Sequence, residues 1–204
     1  MAAMRSSRLE AFSDGVLAII ITIMVLELHV PDQKTFSAFF DQTGPNLLSY
    51  LLSFVYVGIY WSNHHHLFHV VDEVDGVVLW ANLHLLFWLS LLPMTTEWMN
   101  GTDLATDPTA AYGINLLGAA VAYFLLTLAI GRLPGGRHLQ EALGSSVKEK
   151  ISPPLYVLGI ALAFVEPWLG QLPFVVVALM WLVPDRRVER WLAQRDADRP
   201  GPAD

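Results

Sequence analysis

Residues 8–31 read RLEAFSDGVLAIIITIMVLELHVP, and the class of fold turns on this stretch. It opens with Arg8, Glu10 and Asp14, then runs apolar from Val16 to Leu26 with only Thr22 interrupting. A helix needs about 20 mainly apolar residues to cross a bilayer. Ionisable groups within such helices seldom face lipid; they turn toward the bundle or toward water. The stretch therefore predicts a membrane helix whose charged start meets other helices or an aqueous path.

Composition agrees with a membrane chain. Of 204 residues, 54% are hydrophobic and only 15% charged, with a mean hydropathy of +0.45. Soluble domains carry roughly a quarter charged residues. The absence of cysteine excludes disulfides and thiolate metal sites. A net charge of −7 gives no support to nucleic-acid binding. The first apolar run is long and no small-residue cleavage site follows it, so it does not read as a cleavable signal peptide.

Five further apolar segments follow the first, which is placed at residues 13–30. The others are expected at 46–69, 76–97, 110–130, 152–168 and 171–184. Glu166-Pro167 and Gly170 punctuate the last two, which favours two spans over one re-entrant hairpin. Six spans put both termini on one side with 11 of the 12 Lys and Arg residues, Lys34 being the exception. By the positive-inside rule that side is cytoplasmic. The expectation is a multi-pass protein of the cell (inner or plasma) membrane, in contact with its lipids. Residues 185–204 are expected to form a cytoplasmic tail with amphipathic character.

On a helical wheel Ile19, Thr22, Ile23 and Leu26 fall on one face. Asp14 lies about 140° from Ile19 and points elsewhere. Ile20 and Val25 are off the stripe and are expected to pack. Tyr60, Trp61, Asn63, His64, His65, His66 and His69 gather at the cytoplasmic end of the second segment, and Asn82 and His84 lie at matching depth in the third. A polar layer joining three helices follows, with Asp14 held across helices by Arg8, His64 or Asn82. His65 and His69 have the i, i+4 spacing of two ligands on one helix face, but no zincin-like Glu accompanies them. No fixed metal site and no cofactor are assigned. His64–His66 are also candidates for proton sensing.

Arg8-x-x-x-Phe12-Ser13-Asp14 resembles the RxxxFSD signature of the transmembrane protein 175 family, the lysosomal potassium channels and their prokaryotic relatives. Trp61-x-x-His64-His65 and LWANLHLLFWLSLLP (residues 79–93) are similar to that family's second and third helices, so the resemblance covers residues 8–95. Met94 departs where an aromatic often follows the proline, and His84 is unusual.

The resemblance implies an all-α, six-span subunit, assembled as a homotetramer around a central pore lined by the first helix. It implies conduction of K+ with weak selectivity over Na+ and no carbonyl filter. Ile19, Thr22, Ile23 and Leu26 would then face the pore, with permeating K+ near Ile19, Thr22 and Leu26. Arg8, Ser13, Asp14, Trp61, His64, His65 and Asn82 would form the network that holds the helix, with Phe12 as a packing element. A proton-conducting or proton-coupled transporter is the alternative. A carrier wants a midplane carboxylate, whereas Asp14 and Glu27 lie near helix ends. An enzyme wants a convergent catalytic set, and none is apparent.

Overall fold

The computed structural model describes residues 4–29, 32, 34–69, 71–133 and 147–182. Among them are seven helices: α1 (Ser6–Leu26), α2 (Phe36–Phe68), α3 (Gly76–Ser90), α4 (Leu92–Asn100), α5 (Thr106–Gly131), α6 (Val147–Ala163) and α7 (Pro167–Leu182). Residues 183–204, expected to end the sixth span and form the tail, lie outside the described residues.

The protein is an all-α, multi-pass membrane protein. Three helical segments are each long and apolar enough to cross a bilayer: Ser6–Leu26, Gly76–Asn100 and Thr106–Gly131. At 1.5 Å per residue, α1 is about 31 Å long, close to the hydrocarbon thickness. α2 has 33 residues and begins at Phe36, not near residue 46. The Thr35 hydroxyl accepts from the Ala38 backbone N–H at 3.2 Å and caps this early start. α2 is about 50 Å long, so its first turns extend beyond a bilayer-spanning length.

The third segment is broken between α3 and α4. Pro93 has no N–H to continue the ladder, and Leu91 marks the interruption. Asn115 of α5 mends it: its carboxamide donates to Trp88 O at 2.8 Å and accepts from Leu92 N at 3.2 Å. A side chain thus satisfies backbone groups that lipid cannot.

α6 and α7 form a tight pair through a turn at residues 164–166, with Pro167 opening α7. Gly170, expected in that turn, instead lies within α7 at a helix crossing. A Cβ there would stand 2.9 Å from both Gly159 O and Ala163 Cβ. A Cβ on Gly159 would collide with the Phe174 ring and approach Gly170 O to 2.9 Å. Phe174 is fully buried, with Tyr56 donating to its carbonyl at 2.6 Å, so it has no room to retreat. Gly159→Ala should cost about 1–3 kcal/mol by overpacking. A fall in the thermal midpoint of the detergent-solubilised protein would show this, whereas Gly58→Ala, with open space around it inside α2, should hold the midpoint or raise it slightly, since alanine is favoured over glycine in a helix by roughly 0.5–1 kcal/mol.

α1 rests on α2, α3 and α4, while α5, α6 and α7 build the rest of the bundle. Its start is fastened by a short antiparallel pair, Met4–Arg5 (β1) with Glu73–Val74 (β2), and by Ser6 N donating to Asp72 O at 3.0 Å.

Candidate functional site: the first helix and its polar collar

α1 has two faces. Ser6, Leu9, Ser13, Leu17, Ile20 and Met24 are buried against the bundle. Ile19, Thr22, Ile23 and Leu26 are exposed, Ile19 to 59% and Leu26 to 80%. A soluble protein would bury such a stripe; here it is the outer face of the helix. Thr22 donates its hydroxyl hydrogen back to Ile19 O at 2.8 Å. That leaves the oxygen lone pairs free to face outward as acceptors. Ile20 is 3% exposed, as expected of a packing residue. Val25 differs: at 46% exposure it does not pack within the subunit, because the buried stripe is narrower than the wheel suggests. Phe12, read as a packing element, is also exposed within the single subunit.

Ser13, Asn82 and His64 form a buried chain across α1, α3 and α2. His64 Nε2 lies 2.8 Å from Asn82 Oδ1, and Asn82 Nδ2 donates to Ser13 Oγ at 2.9 Å. Ser13 in turn donates to Leu9 O at 2.9 Å. Every direction follows from the last. Asn82 Oδ1 can only accept, so His64 carries a hydrogen on Nε2. His64 Nδ1 then faces no hydrogen-bond partner, and the ring lies 4.5 Å from that of Phe68. The three residues are at most 1% exposed. Buried polar chains of this kind fix helix register when every link is made.

Asp14 is not in that chain. Its Oδ1 accepts from Trp61 Nε1 at 3.0 Å, rather than pairing with Arg8, His64 or Asn82. The reason is angular: Ser13, one residue earlier, takes the inward position beside Asn82, and Asp14 is turned to the α1–α2 seam. One turn nearer the N-terminus, Glu10 meets His65 Nδ1 at 2.7 Å. The two pairs are antiparallel rungs, Glu10 and Asp14 four apart facing His65 and Trp61 four apart. Glu10 therefore joins the network beyond the residues the sequence singles out, although the matched spacing is legible in the sequence. His69 stacks on His65 with ring centroids 5.2 Å apart. Arg8 is exposed and makes no hydrogen bond or ion pair among the described residues. His84 accepts from Trp88 Nε1 at 3.0 Å, which accounts for an otherwise unusual histidine.

A double-mutant cycle tests the Asp14 assignment. Asp14→Ala and Trp61→Phe should be coupled by about 1 kcal/mol in thermal or denaturant unfolding. Additive effects would mean the bond is not held. Asp14→Ala combined with Asn82→Ala should be close to additive.

A second polar layer lies farther along the bundle: Ser53 of α2 bonds Thr96 of α4 at 2.8 Å and Tyr112 of α5 at 3.0 Å. On α2 between Ser53 and His64, the buried residues Tyr56, Val57 and Tyr60 belong to the hydrophobic core.

Comparison with known proteins places this architecture. The sequence profile of the family described as endosomal/lysosomal potassium channel TMEM175 matches residues 8–93, the part that carries α1, α2 and the collar. A potassium channel from Chryseobacterium sp. (strain P1-3) is 53% identical over 192 residues, covering 94% of this chain and all of that protein. The human endosomal/lysosomal proton channel TMEM175 is 36% identical over 117 residues, 52% of this chain but only 21% of that longer protein. In three dimensions the chain is similar to the crystal structure of a lysosomal potassium-selective channel TMEM175 homolog from Chamaesiphon minutus. The TM-score is 0.76 at 29% identity, covering 87% of this chain and 96% of that one. The family is one of channels and not of enzymes, and this chain belongs to the TMEM175 family.

Proposed function

We propose that this chain is the subunit of a homotetrameric cation channel that passes K+ in preference to Na+. The observation that carries the reading is the exposed Ile19, Thr22, Ile23, Leu26 face on a helix long enough to span the bilayer. A single subunit supplies one such helix, too few to enclose a path. Four copies around an axis would bring the stripes together, each copy using the same surface. The relatives named as potassium channels support the permeant ion.

The mechanism follows from the stripe. Ile19 and Leu26 rings would flank Thr22 over about 10 Å of helix. Apolar rings disfavour water, so an ion crossing them sheds part of its hydration. K+ gives up water more readily than Na+, and the outward lone pairs of Thr22 offer partial replacement. No TVGYG-like loop is present in the sequence, so selectivity should be modest. The collar holds α1 at its angle rather than touching the ion. The six-span layout, cytoplasmic termini and inner or plasma membrane location belong to the same proposal, on the strength of the charge bias.

Proton conduction is the second reading. Glu10, His65 and Asp14 lie at the charged end of α1, where a proton path would begin, and the vertebrate relatives are named proton channels. Purified protein in a planar bilayer separates these. With K+ and Na+ on opposite sides at equal pH, unitary currents should reverse at a potential shifted toward that of K+. A reversal at zero potential under those conditions, moving only when a pH gradient is then imposed, would support proton conduction, and no unitary current would refute the channel reading.

A further inference from the structure

His84 stands on the outer face of α3 with Trp80, Phe87 and, across the break, Met94, all exposed on the subunit. It lies within the span Gly76–Asn100, about 12 Å in from its start. Trp88 Nε1–H donates to His84 Nε2, and an indole can only donate, so the hydrogen of the neutral imidazole sits on Nδ1. That N–H has no hydrogen-bond partner among the described residues. Lipid offers it none, and ionisable side chains within spans turn to protein or water instead. Ser62 of α2 stands at the same level. His64 and Asn82 meet at 2.8 Å, and α2 and α3 run in opposite directions. Two residues further into the bilayer on each helix come Ser62 and His84. The Ser62 hydroxyl is exposed and also without a hydrogen-bond partner among the described residues.

The stripe on α1 has unlike flanks. From Ile19, the residues Val16, Ile23 and Glu27 fall about 40–80° to one side, and Ala11, Ala18 and Val25 about 80–120° to the other. The first flank borders a groove of about 440 Å3 between α1 and the α3–α4 segment, whose far wall is Ser90, Pro93 and Met94. The second flank, Ala11, Ala18 and Val25, is exposed. When four stripes face one axis, the first flank of each copy meets the second flank of the next, the head-to-tail contact that closes a ring. Rotation about an axis along the membrane normal leaves depth unchanged, so the level shared by His84 and Ser62 is kept between neighbours.

We propose that the groove-side face of each copy, α3 included, docks on α2 and the second flank of α1 in the next copy, with His84 Nδ1–H donating to Ser62 Oγ across the interface. This rests on the homotetramer of the channel reading and adds to it which two faces meet. The free imidazole N–H of α3 and the exposed Val25 of α1 then both have a protein neighbour.

Cross-linking between copies tests it. The sequence has no cysteine, so Ser62→Cys and His84→Cys each introduce the only thiol of their chain. The two variants, carrying different affinity tags, are co-expressed and their membranes treated with a short bismethanethiosulfonate. A covalent dimer bearing both tags should form, taking in about half of the chains at equal mixing. Neither variant expressed alone should yield a dimer. Light scattering on the detergent-solubilised wild type gives the mass independently. His84→Leu and Ser62→Ala should each weaken assembly about threefold per interface, and the double variant no more than either, because the same interhelical bond is lost in all three. A tetramer by mass without the mixed dimer would overturn this interface and leave the channel reading standing, with both faces given to lipid. Dimers of either variant alone would overturn it too, since like faces would then meet. Additive losses in the double variant would show that His84 and Ser62 do not bond each other. A monomer by mass would overturn the interface and the homotetramer together.

Discussion

Replacing Ile19 or Leu26 with asparagine should raise the unitary K+ current and reduce the discrimination against Na+. Both side chains are exposed on the subunit, so neither change removes packing within it. In the proposed tetramer each substitution puts four carboxamides where four apolar side chains stood. Lowering the barrier to ion passage by about 1 kcal/mol speeds passage about fivefold. The carboxamide oxygens also ligate Na+, which removes the advantage of the ion that dehydrates more easily. Ile20→Asn is the contrast. Ile20 is 3% exposed, and an unpartnered carboxamide in the core should destabilise the subunit instead of changing its conductance. Asparagine variants of Ile19 and Leu26 that assemble normally yet keep wild-type current and reversal potential would show that α1 does not line the path.

The largest stability effect should come from Asn82→Leu. The substitution removes the acceptor of His64 Nε2–H and the donor to Ser13 Oγ, both inside the core. An unsatisfied buried group costs about 1–3 kcal/mol and a lost hydrogen bond about 1 kcal/mol, so a loss of about 2–4 kcal/mol is expected. Replacing both partners with apolar groups is often close to neutral. His64→Phe combined with Asn82→Leu should therefore recover part of the loss, since the ring already lies against Phe68. Thermal unfolding in detergent measures the three proteins. If the double variant is as unstable as the sum of the singles, the two side chains are not coupled as the structure shows.

The helices legible in the sequence were those whose apolar runs stand alone. α5 follows directly from hydropathy, whereas α1, Ser6–Leu26, begins seven residues before the segment expected at 13–30, because the polar start of the stretch is itself helical. The third segment reads as continuous because its apolar pattern does not change at Leu91, yet Pro93 interrupts it and Asn115, distant in the chain, closes the gap. α2 begins earlier than hydropathy indicates because a threonine cap, not an apolar run, sets its start.

The collar was legible as a cluster but not as pairs. Ser13, Asn82 and His64 were each singled out, while their order depends on which of two adjacent residues, Ser13 or Asp14, turns inward. A wheel cannot decide that when both are polar. The register of α1 against α2 decides it, and with it the Glu10–His65 and Asp14–Trp61 rungs. Val25 shows the same limit from the apolar side. Hydrophobicity alone does not separate a residue facing its own core from one facing a neighbour or lipid.

The chain contains no cysteine, which makes a direct test available. Thr22→Cys would be the only thiol in the protein, so any reaction of the reconstituted channel with a thiol-specific cation reports on that position alone. Ile20→Cys, on the buried face of the same helix, is the paired control. A charged methanethiosulfonate reagent applied during recording of K+ current should block Thr22→Cys irreversibly and leave wild type and Ile20→Cys conducting. Thr22→Cys currents that persist under the reagent, while mass spectrometry shows the thiol modified, would contradict the placement of this helix on the ion path.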